Sequence, residues 1–303
     1  MHKGEITAEV VACLIAEQFP QWADREVRSV ELDGWDNTTF RLGEDMSVRL
    51  PSHKRYVPQI DKEHRWLPQL AAQLPLAIPY PIAKGAPGCG FPAPWSIYRW
   101  LSGEPAATAG IHDLNRFADD LGAFLAALRE IDPAGGPPAG PHSFNRGGAV
   151  SAWDEQTRAT IDGLADEIDV AGATDVWDAA LSAEWTGPDV WVHGDVAGSN
   201  LLVTDDRLCA VIDFGCSAVG DPACDLTPAW TTFDGTSRDR FRASIALDPA
   251  TWARGRGWAL WKALIAIPGR PADDPGRTGA RFGWRWDAHG VIEHVIADHR
   301  TTG

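Results

Sequence analysis

Hydrophobic and polar positions alternate with a period of two in three short runs near the start of the chain, "VRSVELD", "TTFRLG" and "MSVRLP", separated by "GWDN" and "GED". A period of two predicts β-strands, and the Gly/Asp/Asn clusters between the runs predict hairpin-type turns. From about Tyr56 the period becomes helical. Ile60, Trp66, Leu67 and Leu70 supply one apolar stripe there, and Pro68 predicts a late kink or an early stop. The Pro/Gly-rich "AIPYPIAKGAPGCGFPAPWSIYRWLSGEP" reads as two extended pieces, the second ending in the apolar "WSIYRWL". After Gly103 the character changes: Leu114, Phe117, Leu121, Phe124, Leu125 and Leu128 fall at helical spacing, and residues 132–149 read as a surface loop. Further helices are expected around 152–168, 173–183, 236–246, 250–266 and 284–299. The pattern predicts a small β-rich part joined near residue 100 to a larger helical part, an α+β chain.

Composition narrows the picture. With 303 residues, 44% of them hydrophobic, the chain has enough apolar surface to bury a core. No run approaches the eighteen or so apolar residues of a membrane span, and the acidic residues inside the first apolar stretch do not suit a leader, so a cytoplasmic protein with no membrane partner is expected. A formal net charge of -15 argues against nucleic acid as the main partner and would favour a cationic ligand, although acidity often serves solubility alone. The five cysteines, Cys13, Cys89, Cys209, Cys216 and Cys224, are odd in number and scattered without a C-x-x-C pair. Buried free thiols are therefore expected, with neither a disulfide framework nor a zinc site.

The stretch "VWVHGDVAGSNLLVTDDRLCAVIDFG", Val190 to Gly215, sets two apolar runs on either side of "TDDR" and predicts a β-hairpin. With the reversal centred between Asp206 and Arg207, residues whose numbers sum to 413 face one another, so Asn200 pairs with Asp213. The loop before them brings Asp195 to the same end. Asp and Asn ordinarily cap turns and satisfy loop backbone. Three oxygen-bearing groups together suit a hard cation such as magnesium, which takes few protein ligands and shares its other positions with phosphates.

His193-Gly194-Asp195, Asn200 and Asp213-Phe214-Gly215, followed by "VGDPACDL", resemble the catalytic segment of the aminoglycoside phosphotransferase family, small-molecule relatives of the protein kinases. The resemblance spans about Val30 to Trp261 and implies a protein-kinase-like two-lobed fold. Residues 1–101 would form a β-rich nucleotide-binding lobe, and residues 102–303 a mainly helical lobe with the catalytic loop and acceptor site. It further implies Mg2+-dependent transfer of the terminal phosphoryl group of ATP or GTP to a hydroxyl of a small molecule, plausibly an aminoglycoside or another antibiotic. Asp195 would orient the hydroxyl or take its proton, and Asn200 and Asp213 would hold the metal. His193 would be a scaffold residue. Asp225 would brace the catalytic loop, with a helix N-cap as its ordinary alternative.

A nucleotide site also needs a cation for the phosphates. Strand alternation in "MSVRLP" turns Arg49 away from the apolar face, and Glu63 is the acid best placed to orient it. The family usually has lysine where this chain has Arg49, whose guanidinium fork can grip phosphate and carboxylate together. "DGWDNTTF" lacks a Gly-rich motif and offers backbone N–H groups and the Thr38 and Thr39 hydroxyls. "YRWLSG" resembles the hinge, with the Arg99 carbonyl and Leu101 amide toward the base. No P-loop motif is present, and no A-P-E follows Asp213. Asp287, Trp284 and Trp286 could line an acceptor site, although aromatic residues at helical spacing more often serve as core. Alternatives are a kinase-like nucleotide-binding module without turnover and a kinase for a non-antibiotic metabolite.

Overall fold

The computed structural model describes residues 6–30, 34, 36–267 and 283–302. The chain divides into two compact units, Met1–Ser102 and Gly103–Gly303.

Unit 1 opens with α1, Ala8–Gln18, capped by the Thr7 side chain. Strands β1 (Val27–Ser29), β2 (Asn37–Leu42) and β3 (Met46–Pro51) follow, then α2 (Val57–Ala71), β4 (Pro81–Gly85) and β5 (Trp95–Arg99). They form one antiparallel sheet in the order β1-β2-β3-β5-β4. Because the register pairs Phe40 with Val48, Leu42 with Met46 and Val48 with Ile97, one face is continuously apolar. That face shares a core with Val11, Leu14 and Ile15 of α1. The same register sets Thr39, Arg49 and Ser96 abreast on the opposite face, toward which α2 turns Glu63 and His64. Pro68 lies inside α2 without stopping it before Ala71. The first predicted strand is shorter than "VRSVELD", and residues 31–33 and 35 lie outside the described residues.

One expectation fails here. Cys13 and Cys89 form a disulfide, closing a separation of 76 residues. Spacing could not reveal it, because α1 and the loop after β4 meet only in the folded unit, where Gln18 exchanges hydrogen bonds with the Ala86 backbone at 3.0 and 2.7 Å. Cys209, Cys216 and Cys224 are free, and the last two are buried.

Unit 2 comprises β6 (Glu104–Pro105), α3 (Leu114–Glu130), α4 (Asp154–Asp162), α5 (Val170–Ser182), β7 (Val190–Val192), β8 (Leu201–Thr204), β9 (Arg207–Val211), β10 (Ala218–Gly220), α6 (Pro228–Thr231), α7 (Gly235–Ile245), α8 (Pro249–Ala266) and α9 (Ala288–Thr302). Helix α4 ends well short of the predicted 168, with Gly163 at its C-cap. Two small sheets, β6-β8-β9 and β10-β7, carry the loops of interest. Helix α8 is buried on all sides from Arg254 onward and packs against α5, α9 and the 3-10 turn Pro222–Leu226. Arg254 pairs bidentately with Asp221 at 2.6 and 3.1 Å, fixing that turn to α8. Among the described residues no helix is long and apolar enough to cross a membrane.

Candidate active site

The hairpin forms one residue away from its predicted register. Asp205 and Asp206 are the two loop residues, both left-handed (φ 50° and 61°), as a tight two-residue reversal requires. Thr204 therefore faces Arg207, and a register shift between Leu202 and Val203 sets Leu201 opposite Val211. Asn200 consequently faces Ile212, whose N–H donates to the Asn200 carbonyl at 2.8 Å, and the predicted pairing of Asn200 with Asp213 is corrected. Asp213 lies beyond the ladder in a left-handed conformation (φ 65°, ψ 69°), its carboxylate accepting from Gly215 N–H at 3.4 Å.

A buried hydrogen-bond relay holds the loop before it. The Asp225 carboxylate accepts from the His193 N–H at 2.8 Å and from the Gly194 N–H at 2.7 Å. The capping role falls instead to Asp221, which accepts from Ala223 N–H. Burial pushes the Asp225 carboxyl above its ordinary range; the nearby His193 and the two N–H donors oppose this. His193 is fully buried. Its Nδ1 accepts from the Asp195 N–H at 3.2 Å, which leaves Nε2 to donate to the Ile212 carbonyl at 3.0 Å. One imidazole thus spans Asp195 and the residue before Asp213. Gly194 has φ 84°, and a Cβ there would lie 2.5 Å from the Cys216 carbonyl, so the turn admits no larger residue without displacement.

The amide nitrogen of Asn200 donates to the Asp195 carbonyl at 2.9 Å. That bond turns its amide oxygen the other way. That amide oxygen and the Asp213 carboxylate are oxygen donors of the type magnesium takes. The Asp195 carboxylate has a neighbour that the sequence did not suggest: Lys262 of α8 reaches it at 2.6 Å from a side chain only 6% exposed. The one sequence signal was a lone lysine inside the otherwise apolar "WALWKALIA".

In unit 1 the Arg49 guanidinium lies 3.5 Å from the Glu63 carboxylate, both mostly buried. The Tyr98 hydroxyl donates to Glu63, and Arg49 sits 5.2 Å from the Tyr98 ring centre. Burial, helped by the Glu63 charge, raises the Tyr98 phenol well above its usual range, so it stays a donor. Arg99 ends β5 with its guanidinium over the Tyr80 ring, and Leu101 follows, half-buried, in the segment ending this unit. The Thr38 hydroxyl is buried without a hydrogen-bond partner. Late in the chain, the Asp287 side chain accepts from Gly290 N–H at the start of α9, and Trp286 packs edge-on against His294, which are structural roles.

Unit 2 thus carries a braced Asp195 loop with Asn200 bonded to its backbone and the Asp213 turn after the hairpin, and unit 1 carries an Arg49–Glu63 ion pair on its five-stranded sheet. The chain matches the family model described as the phosphotransferase enzyme family over residues 27–258 and belongs to that family, which makes it a small-molecule kinase of protein-kinase-like fold. A comparison with the curated proteins finds no match. Among solved structures, the GDP complex of wild-type aminoglycoside 2'-phosphotransferase-IIIa is 18% identical, covers 97% of this chain and 100% of its own, and superposes with a TM-score of 0.67. Macrolide 2'-phosphotransferase MphH from Brachybacterium faecium, as apoenzyme, is 24% identical over 85% of this chain and 91% of its own, with a TM-score of 0.63. The streptomycin-ATP-APH(2")-IIa ternary complex is 17% identical over 86% and 90%, with a TM-score of 0.56. At these identities the likeness is one of fold.

Proposed function

We propose that the enzyme transfers the terminal phosphoryl group of ATP or GTP to a hydroxyl of a small molecule in a magnesium-dependent reaction. The observation carrying this reading is the relay in which Asp225 holds His193 and Gly194 while His193 bonds the Asp195 N–H and the Ile212 carbonyl, fixing the base loop against the Asp213 turn. Asp195 orients the acceptor hydroxyl and takes its proton as the new P–O bond forms and the bond to the nucleoside diphosphate breaks. Asn200 and Asp213 would hold magnesium, which when bound neutralises charge on the phosphates. In unit 1, Arg49 grips phosphate with Glu63 and Tyr98 fixing its fork, and the Arg99 carbonyl and Leu101 amide meet the base. His193 and Asp225 act by positioning. The relatives in complex with GDP and with streptomycin and ATP support a nucleotide donor and a small acceptor. The nucleotide donor is the ground on which we assign the enzyme to the cytoplasm.

The test is slow ATP or GTP hydrolysis with and without Mg2+, in wild type and Asp195→Ala. The expected result is Mg2+-dependent hydrolysis that Asp195→Ala lowers at least about a hundredfold, the scale of lost general-base catalysis. Nucleotide binding without Mg2+-dependent hydrolysis would instead support a binding module without turnover, the reading that arginine in the usual lysine position favours.

A further inference from the structure

The acceptor's chemical class can be read from what already occupies the Asp195 carboxylate, given the phosphotransferase reading above. We infer that Lys262 is a specificity residue that excludes acceptors with an ammonium beside the reacting hydroxyl, so that the substrate is neutral or anionic there, a sugar, polyol or hydroxy acid in type.

Lysine is seldom enclosed in a helix that is buried on every side, yet Lys262 sits within α8 at 5% exposure and its Nζ lies 2.6 Å from Asp195 Oδ1. A hydroxyl delivering its proton to Asp195 brings its neighbouring substituents to about 5 Å from that ammonium. Two like charges at about 5 Å in a partly buried site repel, and although the Asp195 carboxylate offsets part of this, the remainder costs about tenfold in affinity. A second cation stands beside the same loop. Arg146 is buried, a Cβ on Gly194 would lie 3.0 Å from its Cβ, and its guanidinium covers the Trp261 ring at 4.9 Å. Arg146 thus packs its side-chain base against Gly194, in the turn whose Asp195 carboxylate Lys262 reaches.

The net charge of -15 taken alone would favour a cationic ligand, but exposed charges beyond about 8 Å are largely screened at physiological salt. A buried contact of 2.6 Å is not. The local field decides which molecule can bring its hydroxyl to Asp195.

Kanamycin is the cationic probe. Titration calorimetry on the full-length protein, loaded with Mg2+ and a non-hydrolysable ATP analogue in salt of roughly physiological strength, compares wild type with Lys262→Met and Lys262→Arg. Kanamycin should bind Lys262→Met at least about tenfold more tightly than wild type, and Lys262→Arg no more tightly, because charge repels and the aliphatic stem does not. Lys262→Gln replaces the Met variant if thermal melting shows that one unfolded. Equal kanamycin affinity of wild type and the uncharged variant, including undetectable binding to both, overturns the inference. So does faster wild-type turnover of kanamycin or a macrolide than of every member of a panel of neutral sugars, polyols and hydroxy acids. Hydrolysis indifferent to Asp195→Ala counts against phosphotransfer alone, since the binding comparison needs no turnover.

Discussion

Replacing Asp225 by asparagine would remove one charge and change almost nothing in shape. The carboxylate accepts from the His193 N–H at 2.8 Å and the Gly194 N–H at 2.7 Å, one oxygen to each, in a site where Asp225 is 5% exposed. An amide has a single oxygen, so its NH2 must face one of the two N–H donors. The variant loses one charge-assisted bond, about 1.5–3 kcal/mol, and leaves a buried donor without a partner, about 1–3 kcal/mol more. Against this stands the relief of no longer burying a charge, and the raised Asp225 proton affinity shows that burial outweighs its favourable contacts. Taking that relief as part of the sum, we expect a net loss of about 2–4 kcal/mol. In a unit of this size the melting temperature should fall by about 5–12 °C. Because His193 orients both the Asp195 N–H and the Ile212 carbonyl, a small shift of the loop should also lower kcat by about ten- to a hundredfold while leaving nucleotide affinity in place. Denaturant and thermal melts of wild type and Asp225→Asn, with steady-state hydrolysis and nucleotide titration, measure these outcomes. A variant as stable as wild type, with kcat within about twofold, would refute the relay as the device that holds the loop.

Two further outcomes follow from unit 1. Its disulfide closes 76 residues of chain, so reductant, or Cys13→Ser, should lower stability by about 2–4 kcal/mol, with no additional effect of reductant on the variant; identical melts with and without reductant would contradict this. His64 bonds Ser96 at 3.0 Å, and burial, as the largest cause, lowers its proton affinity below the ordinary value of 6.5. The unfolded chain therefore binds this proton first, so the contribution of His64 is present above that ordinary value and is lost as pH falls through the depressed one. Stability measured across that window should decline less steeply in His64→Gln, and an unchanged slope would refute the assignment.

The strands of unit 1 were legible because their alternation coincides with a sheet that buries one face against α1 and turns Arg49 to the other. The helices were legible for a similar reason, as with Phe117, Leu121, Phe124, Leu125 and Leu128, all buried along α3. Lys262 was not. It lies 67 residues from Asp195, and α8 is buried all round from Arg254 onward, so no helical periodicity separates a site-facing position from a core one. The Cys13–Cys89 bond escaped for the same physical reason: local pattern records which face of an element is buried, and says nothing of which two distant elements meet.

The hairpin shows how a one-residue slip can still bring the same groups to one network. "TDDR" permits reversal at Asp205–Asp206 or at Asp206–Arg207, and the chain reverses at Asp205 and Asp206, whose side-chain type tolerates left-handed backbone. Asp206 then gains the His112 and Asp113 N–H groups at 2.8 and 3.2 Å, bonds that tie the turn to the start of α3. With that register fixed, continuing the ladder would pair Asp213 with Ser199 and not with Asn200. Asp213 instead joins the network by leaving the strand, held by His193 on the Ile212 carbonyl behind it and by the buried Phe214 after it. Such a conformation costs about 1 kcal/mol or more and persists only where its surroundings over-determine it. Asp225, His193, the Asp195 backbone and the Asp213 turn are therefore one mechanical unit, and substitutions within it should act on geometry together, not as independent losses.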